Sequence, residues 1–171
     1  LGIKVPRIFH VPGPLHLEHG VFRRLDLYSG GKLDYWLASC IWTQNRYLTS
    51  GIEPAKIGLA YYGVNAEDFT FRDSEQDLKA TLHMKKTDYL IGMVAYFYAP
   101  KAYLGQSRGL KGHEDLIDAM ELVSKVYPHV RCIFVGGPWA NADKYYQQVK
   151  DYAQQKVGEM CIFMGYRQDV P

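Results

Sequence analysis

The sequence predicts an α/β fold built on parallel sheets, and three observations carry that prediction. Residues 88–166 alternate strand and helix patterns in the order β-α-β-α-β. The middle strand of that run, "VRCIFVGG" (130–137), reads as a near-continuous apolar run, as a parallel strand buried on both faces should. The segments after its strands, "FYAPKAYLGQSRGLKG", "GGPWAN" and "GYRQD", all carry glycines and polar residues. Right-handed crossovers make such a unit a Rossmann-like sheet, and ligands of these sheets bind beyond the strand carboxyl ends.

Taken in order, the first strand is "KVPRIFHV" (4–11), stopped by proline-rich "VPGP". Residues 15–28 place Val21, Phe22, Leu25 and Tyr28 at helical spacing, with His19 and Gly20 weakening the pattern. "KLDYWLASCIW" (32–42) reads as a buried strand. It leads into a short helix for which Thr43 is the expected cap and Gly51 the stop. "KIGLAYYGV" (56–64) is another strand. Residues 65–88 turn polar and charged and read as a linker or connecting helix.

The second half begins with the strand "DYLIGMVAYFY" (88–98), rich in β-branched and aromatic residues. "HEDLIDAMELVSKVYP" (113–128) is an amphipathic helix with Leu116, Met120, Val123 and Tyr127 on one face, widened by Ile117 and Ala119. Glu114 and Asp115 suit its first turn and Lys125 its last. Residues 142–158 form a second helix, with Tyr145, Val149, Tyr152 and Lys156 along one stripe and Gly158 as its stop. "EMCIFMGY" (159–166) closes the run as a third strand.

At 171 residues and 47% apolar composition the chain can bury a real core, in one domain or two small ones. A net charge of +2 gives no argument for nucleic acid as a partner. There is no apolar run of about 18 residues that reads as a membrane span. Cys40, Cys132 and Cys161 are odd in number, far apart and beside apolar runs, so they read as free buried thiols in a reducing compartment. The sequence has no initiator Met and both its ends lie beside strands, so it reads as a piece of a longer protein.

Four motifs, in order along nearly the whole chain, resemble the middle of a group 1 (family 4, GT-B fold) glycosyltransferase. They are "GIEPAKIGLAYYGVNAEDF" (51–69), "LIGMVAYF" followed by "KGHEDLIDAMELV", "RCIFVGGP", and "IFMGYRQDVP". The resemblance implies Rossmann-like parallel sheets in two incomplete domains. Residues 1–65 would be the C-terminal part of the N-terminal, acceptor-side domain, 66–87 the interdomain linker, and 88–171 the first half of the nucleotide-sugar-binding domain. The family's N-terminal glycine-rich loop would precede Leu1, and its Glu-x7-Glu motif would follow Pro171.

The resemblance also assigns roles. The lysine before the helix-opening glycine, Lys111, binds the donor diphosphate, which suits a cation beside free amides at a helix N-terminus. Arg108 is either a second diphosphate contact or a solvated loop charge, because Tyr96 stands where the family keeps its other cation. Gly136, Gly137 and Pro138 either let the backbone approach the nucleotide or make a plain turn. Gly165, Tyr166 and Arg167 resemble the segment that holds the base. Asp169 reads as the cap of a following helix. His10 borders the cleft as a tentative catalytic residue, or is a half-buried histidine satisfied by backbone. His16 and His19 with Glu18 suggest a metal, but their loop context and the lack of further ligands argue against it. Phe22, Arg23 and Arg24 suit ordinary packing better than an acceptor or membrane surface.

The expectation is therefore part of a retaining, hexosyl-type glycosyltransferase that uses a nucleotide-sugar as substrate, with no metal or other cofactor. Its partners would be the donor and a glycan or lipid-linked acceptor, with a peripheral membrane contact and a homo-oligomer or the rest of the parent chain as further associations. Its place would be the cytoplasm, at the inner face of the membrane, in cell-surface polysaccharide assembly. The alternative is a non-catalytic nucleotide-binding module of Rossmann-like fold. A dinucleotide oxidoreductase is disfavoured because no G-x-G-x-x-G follows a strand.

Overall fold

The computed structural model describes residues 5–13, 15–69 and 78–170. Lys4, Pro14, Pro171 and residues 70–77 of the expected linker lie outside them. The chain divides into two compact units, Leu1–Phe69 and Thr70–Pro171. The architecture is α/β, with one three-stranded parallel sheet in each unit.

The first unit orders its strands β1 (Arg7–Val11), β2 (Asp34–Ala38) and β3 (Ile57–Leu59), with Phe9 opposite Trp36 and Trp36 opposite Ile57. Helices α1 (Leu15–Glu18), α2 (Gly20–Ser29) and α3 (Ile41–Thr49) connect them. Val11, Leu17, Trp36, Tyr47 and Ile57 form the core on one face of the sheet. The other face leaves Ile8 71% and Tyr35 42% exposed, although parallel sheets are normally covered on both sides. Buried Asp34 is compensated by the Arg7 guanidinium and by the Gly31 amide at 2.5 Å. Their hydrogen bonds hold its carboxyl at about 2, below the usual range.

Several expected boundaries move here. The helix expected over 15–28 breaks at His19 into α1 and α2, and α2 buries none of its residues; Val21, Leu25 and Tyr28 are all exposed. The strand expected over 32–42 ends at Ala38. Ser39 bonds back to Val11 and Pro12, and an extended Cys40 then starts the helix at Ile41. Thr43 therefore lies inside α3, not at its cap, and is buried with its hydroxyl 3.3 Å from Cys40 Sγ. Gly51 has φ +96°, the left-handed conformation expected of a helix stop.

The second unit contains α4 (Leu78–Thr81), β4 (Leu90–Val94), α5 (His113–Val123), β5 (Arg131–Val135), α6 (Asp143–Val157) and β6 (Cys161–Gly165). Its sheet runs β4-β5-β6, which makes the apolar β5 the central strand. The core gathers Phe97, Ile117, Met120, Val130, Cys132, Phe134, Tyr145, Val149 and Ala153. Burying a side chain such as Ile117 contributes about 1.5–3 kcal/mol.

The helix faces differ from the expected ones by one step. The buried residues of α5 are His113, Ile117 and Met120; Ala119 is exposed, and Tyr127 lies beyond the helix end and is exposed too. On α6 the stripe runs Tyr145, Val149, Ala153, while Lys156 reaches out to Glu121 at 2.8 Å. Cys132 and Cys161 are register partners on β5 and β6, and all three cysteines are free thiols. No described helix is long and apolar enough to cross a membrane.

Candidate functional site

The three strands of the second unit end together. Val94–Tyr96 at the end of β4, Val135 and Gly136 at the end of β5 and Tyr166–Arg167 after β6 line a cavity of about 250 Å³, with Val170 on another side. Strand ends are held in place by backbone bonds. Ala95 N–H donates to Val135 O at 2.9 Å, Phe97 N–H to Gly137 O at 3.0 Å, and Gly136 N–H to Gly165 O at 2.8 Å. Gly136 has φ +145°, and a Cβ there would overlap the Ala95 carbonyl, so only glycine lets β4 and β5 exit this close together. Pro138 continues the pairing as a bridge partner of Phe97, and Gly137 faces Tyr166. Gly165, at φ +68°, turns the chain at a bulge in the β5–β6 register and sets Tyr166 at the cavity.

An aromatic cluster stands at this edge, joining Tyr96 and Tyr166 to Tyr98 and Trp139, for which no motif in the sequence accounts. Tyr96 lies 4.9 Å from Trp139 and 6.1 Å from Tyr166 between ring centroids, the latter pair nearly parallel at 17°. Tyr98 lies 5.5 Å from Trp139, and the Lys111 ammonium sits 5.7 Å from the centre of the Tyr98 ring. Period-two alternation was the available signal: Phe97 is fully buried, so Tyr96 and Tyr98 fall on the other side of the strand exit.

The glycine loop 101–112 splits its two cations. Lys111 is exposed and precedes Gly112, whose φ of +76° opens α5; no side chain caps that helix among the described residues. Arg108 is engaged instead by Asp115 at 2.6 Å and Asp118 at 2.7 Å, both on α5. These bonds raise its pKa further and tie the loop to the helix. Gly109 is buried against the Tyr145 hydroxyl, and its N–H donates to Glu114 Oε1 at 3.1 Å.

His113 passed unremarked in the sequence because it looks like a polar first-turn residue. It is fully buried, stacked on Phe97 at 3.8 Å, with no ring nitrogen in a hydrogen bond of normal geometry among the described residues. Burial lowers its pKa and keeps the ring neutral.

The other expected residues are placed as follows. Arg167 binds Asp169 through two hydrogen bonds, which lower the Asp169 pKa; that carboxylate is thus occupied by its neighbour. His10 lies in the first unit, exposed on β1 opposite Leu37, with its ring 5.1 Å from that of Tyr62. His16 Nε2 lies 3.1 Å from the Tyr47 hydroxyl and 3.3 Å from Asp26, and Tyr47 donates to Asp26 at 3.2 Å. His19 packs on Phe22 at 5.0 Å. Among the described residues no three His, Cys, Asp or Glu side chains gather as metal ligands.

No family model matches this chain, and no curated protein does. Solved structures do. Anabaena HepE, crystallised with UDP and glucose, superposes with a TM-score of 0.72 at 19% identity, over 97% of this chain and 43% of HepE. Its complex with UDP-glucose gives the same figures. A glycosyltransferase from Rickettsia africae superposes with a TM-score of 0.60 at 17% identity, over 95% of this chain and 39% of that one. At these identities the likeness is one of fold: the chain has the Rossmann-like architecture of parts of both domains of a GT-B glycosyltransferase and spans less than half the length of these neighbours.

Proposed function

We propose that the full-length protein is a retaining glycosyltransferase, transferring a hexose from a nucleotide-sugar to a glycan or lipid-linked acceptor in polysaccharide assembly at the cytoplasmic membrane face. The observation that carries this reading is the cavity at the three strand ends, linked through Tyr96 and Tyr98 to Lys111 at the uncapped start of α5. The neighbours support the ligand class, since HepE was crystallised with UDP and with UDP-glucose.

In this reading the nucleoside lies at the strand ends and the diphosphate at the start of α5. When the sugar–phosphate bond breaks, negative charge accumulates on the departing diphosphate. The Lys111 ammonium and the first amides of α5 stabilise that charge more than the charge of the intact donor, which is how they lower the barrier. Arg108 acts through position, holding the loop on α5 while Lys111 stays free to reach the phosphate. Gly136 and Gly137 give the close backbone approach, Gly165–Arg167 border the base, and His10 serves the acceptor side from the first unit. The donor is a substrate and the chemistry uses no cofactor or metal. The resemblance implies that a Glu-x7-Glu motif supplies the other half of the donor site, so sugar transfer is a property expected of the full-length protein.

The experiment is a panel of UDP-, GDP- and ADP-sugars given to the full-length protein, read by thermal shift and by sugar transfer or release. One nucleotide-sugar at a hundredfold excess over its Kd should stabilise the fold by about 2.7 kcal/mol and lose its sugar. Stabilisation without turnover would support the non-catalytic nucleotide-binding module instead. Stabilisation by a nicotinamide dinucleotide alone would overturn both readings.

A further inference from the structure

We infer that Cys161 and Cys132 form a disulfide-exchange pair, in which Cys161 reacts with a low-molecular-weight peptide disulfide and Cys132 then closes a bridge between β6 and β5. This inference is independent of the nucleotide reading.

The two residues are register partners on neighbouring parallel strands. Such strands lie about 4.8 Å apart, inside the roughly 4.4–6.8 Å between Cα atoms that a disulfide spans. Register partners also send their side chains to the same face of a sheet. Here that face is the core of the second unit: Cys132 is one of its members and Cys161 packs against it.

Their access differs. Cys132 is fully buried, whereas Cys161 is half-buried and lines a cavity between α6 and β6, remote in the sequence from the glycine turns of the nucleotide site. At about 370 Å³ this cavity falls within the roughly 300–1,000 Å³ of sites that take a small molecule. Lys150, Asp151, Gln147 and Gln154 wall it beside the thiol. The Lys150 ammonium stands 5.9 Å from the centre of the Phe163 ring, and Gln147 donates to Asp151 at 2.8 Å. An ammonium, a carboxylate and two amides suit a zwitterionic peptide better than an apolar ligand. Contact with the Cys132 thiol lowers the Cys161 pKa, while the same contact and burial raise that of Cys132. The thiolate therefore forms first on the cysteine that solvent reaches.

In the first step Cys161 loses its proton to solvent and its thiolate attacks one sulfur of the peptide disulfide. That S–S bond breaks, and one peptide leaves as a thiolate that takes up a proton. In the second step Cys132 gives up its proton and attacks Cys161 Sγ, which displaces the other peptide as a thiol. The two cysteines are together oxidised by two electrons, and the peptide disulfide is reduced to two thiols.

The test incubates the folded, reduced full-length protein with glutathione disulfide and maps its cysteines by alkylation and peptide mass spectrometry. The Cys132 and Cys161 peptides should appear joined, with two hydrogens lost and neither thiol alkylated. Cys132→Ala should stop at the first step and keep one glutathionyl group on Cys161. Cys161→Ala should leave Cys132 as a free thiol, since the cavity reaches the pair through Cys161. The wild-type map needs no variant to fold: Cys132 and Cys161 both still alkylated there overturns the inference. So does a glutathionyl group that stays on wild-type Cys161 beside a free Cys132, or one that appears on Cys132 in Cys161→Ala. Joined peptides that form only after the chain is unfolded in urea overturn it as well, because the pairing would then owe nothing to the β5–β6 register.

Discussion

Lys111 and Arg108 stand three residues apart in one loop, and their neighbours give them different tasks. The sequence shows two cations among glycines; it does not show that Asp115 and Asp118, on the first two turns of α5, lie within reach of one and not of the other. Three-dimensional pairing of this kind has no local signal. His113 is a similar case. Helical spacing from Ile117 and Met120 leads back to it, but a histidine beside Glu114 and Asp115 reads as surface. Its burial has a consequence for pH dependence. The unfolded chain takes up a proton at His113 below its ordinary pKa of 6.5, whereas burial lowers the folded pKa. The stabilising preference for the neutral ring is thus complete above pH 6.5 and declines as pH falls through the folded value. In urea unfolding between pH 7 and pH 5 the wild type should lose more stability than His113→Leu; equal slopes would refute the neutral buried ring.

Helices and strands were legible in type and order more than in extent. Every strand expected in the second unit is present, because β5 is buried on both faces and its neighbours share its apolar pattern. The strand ends were not legible, since residues such as Cys40–Trp42 and Tyr96–Tyr98 are apolar on either side of the point where pairing stops. The exposed apolar residues of α2 could not be anticipated either: periodicity shows that a face exists, not that anything covers it. Glycines at the strand ends divide by cause. Gly136 needs both its positive φ and its missing Cβ, whereas Gly165 has open space around it. Gly136→Ala should therefore destabilise by about 3 kcal/mol or more, from strain plus overlap with the Ala95 carbonyl. Gly165→Ala should cost only about 1–2 kcal/mol, from the left-handed conformation. Urea denaturation of the two variants checks the ranking, and equal losses would contradict the backbone approach argued for Gly136.

At the scale of the whole chain, two units each hold a parallel sheet, but they differ in core. The second unit packs α5 and α6 against β5, whose Cys132–Val135 are all buried even though Val94 beside it is exposed, while the first leaves one sheet face with Ile8 and Tyr35 exposed. Hydrogen exchange should therefore be slowest at the β5 amides and faster in β1, and faster exchange at Cys132–Phe134 than at Ile8–His10 would contradict this order. The candidate site was legible as a region, because ligands of such sheets collect at strand carboxyl ends and the glycines marked them. Its aromatic lining was not, because it depends on which side of each strand exit a ring falls.

The central claim is that Lys111 at the start of α5 holds the ligand's diphosphate. Its most direct test is calorimetric titration of the full-length protein with a nucleoside diphosphate, for the wild type, Lys111→Ala and Arg108→Ala. Loss of one charge-assisted contact corresponds to about 1.5–3 kcal/mol, so Lys111→Ala should weaken binding roughly 10- to 150-fold. Arg108→Ala, which frees two carboxylates but removes no phosphate contact, should weaken it much less. Unchanged affinity in Lys111→Ala, or a larger loss in Arg108→Ala, would contradict the account.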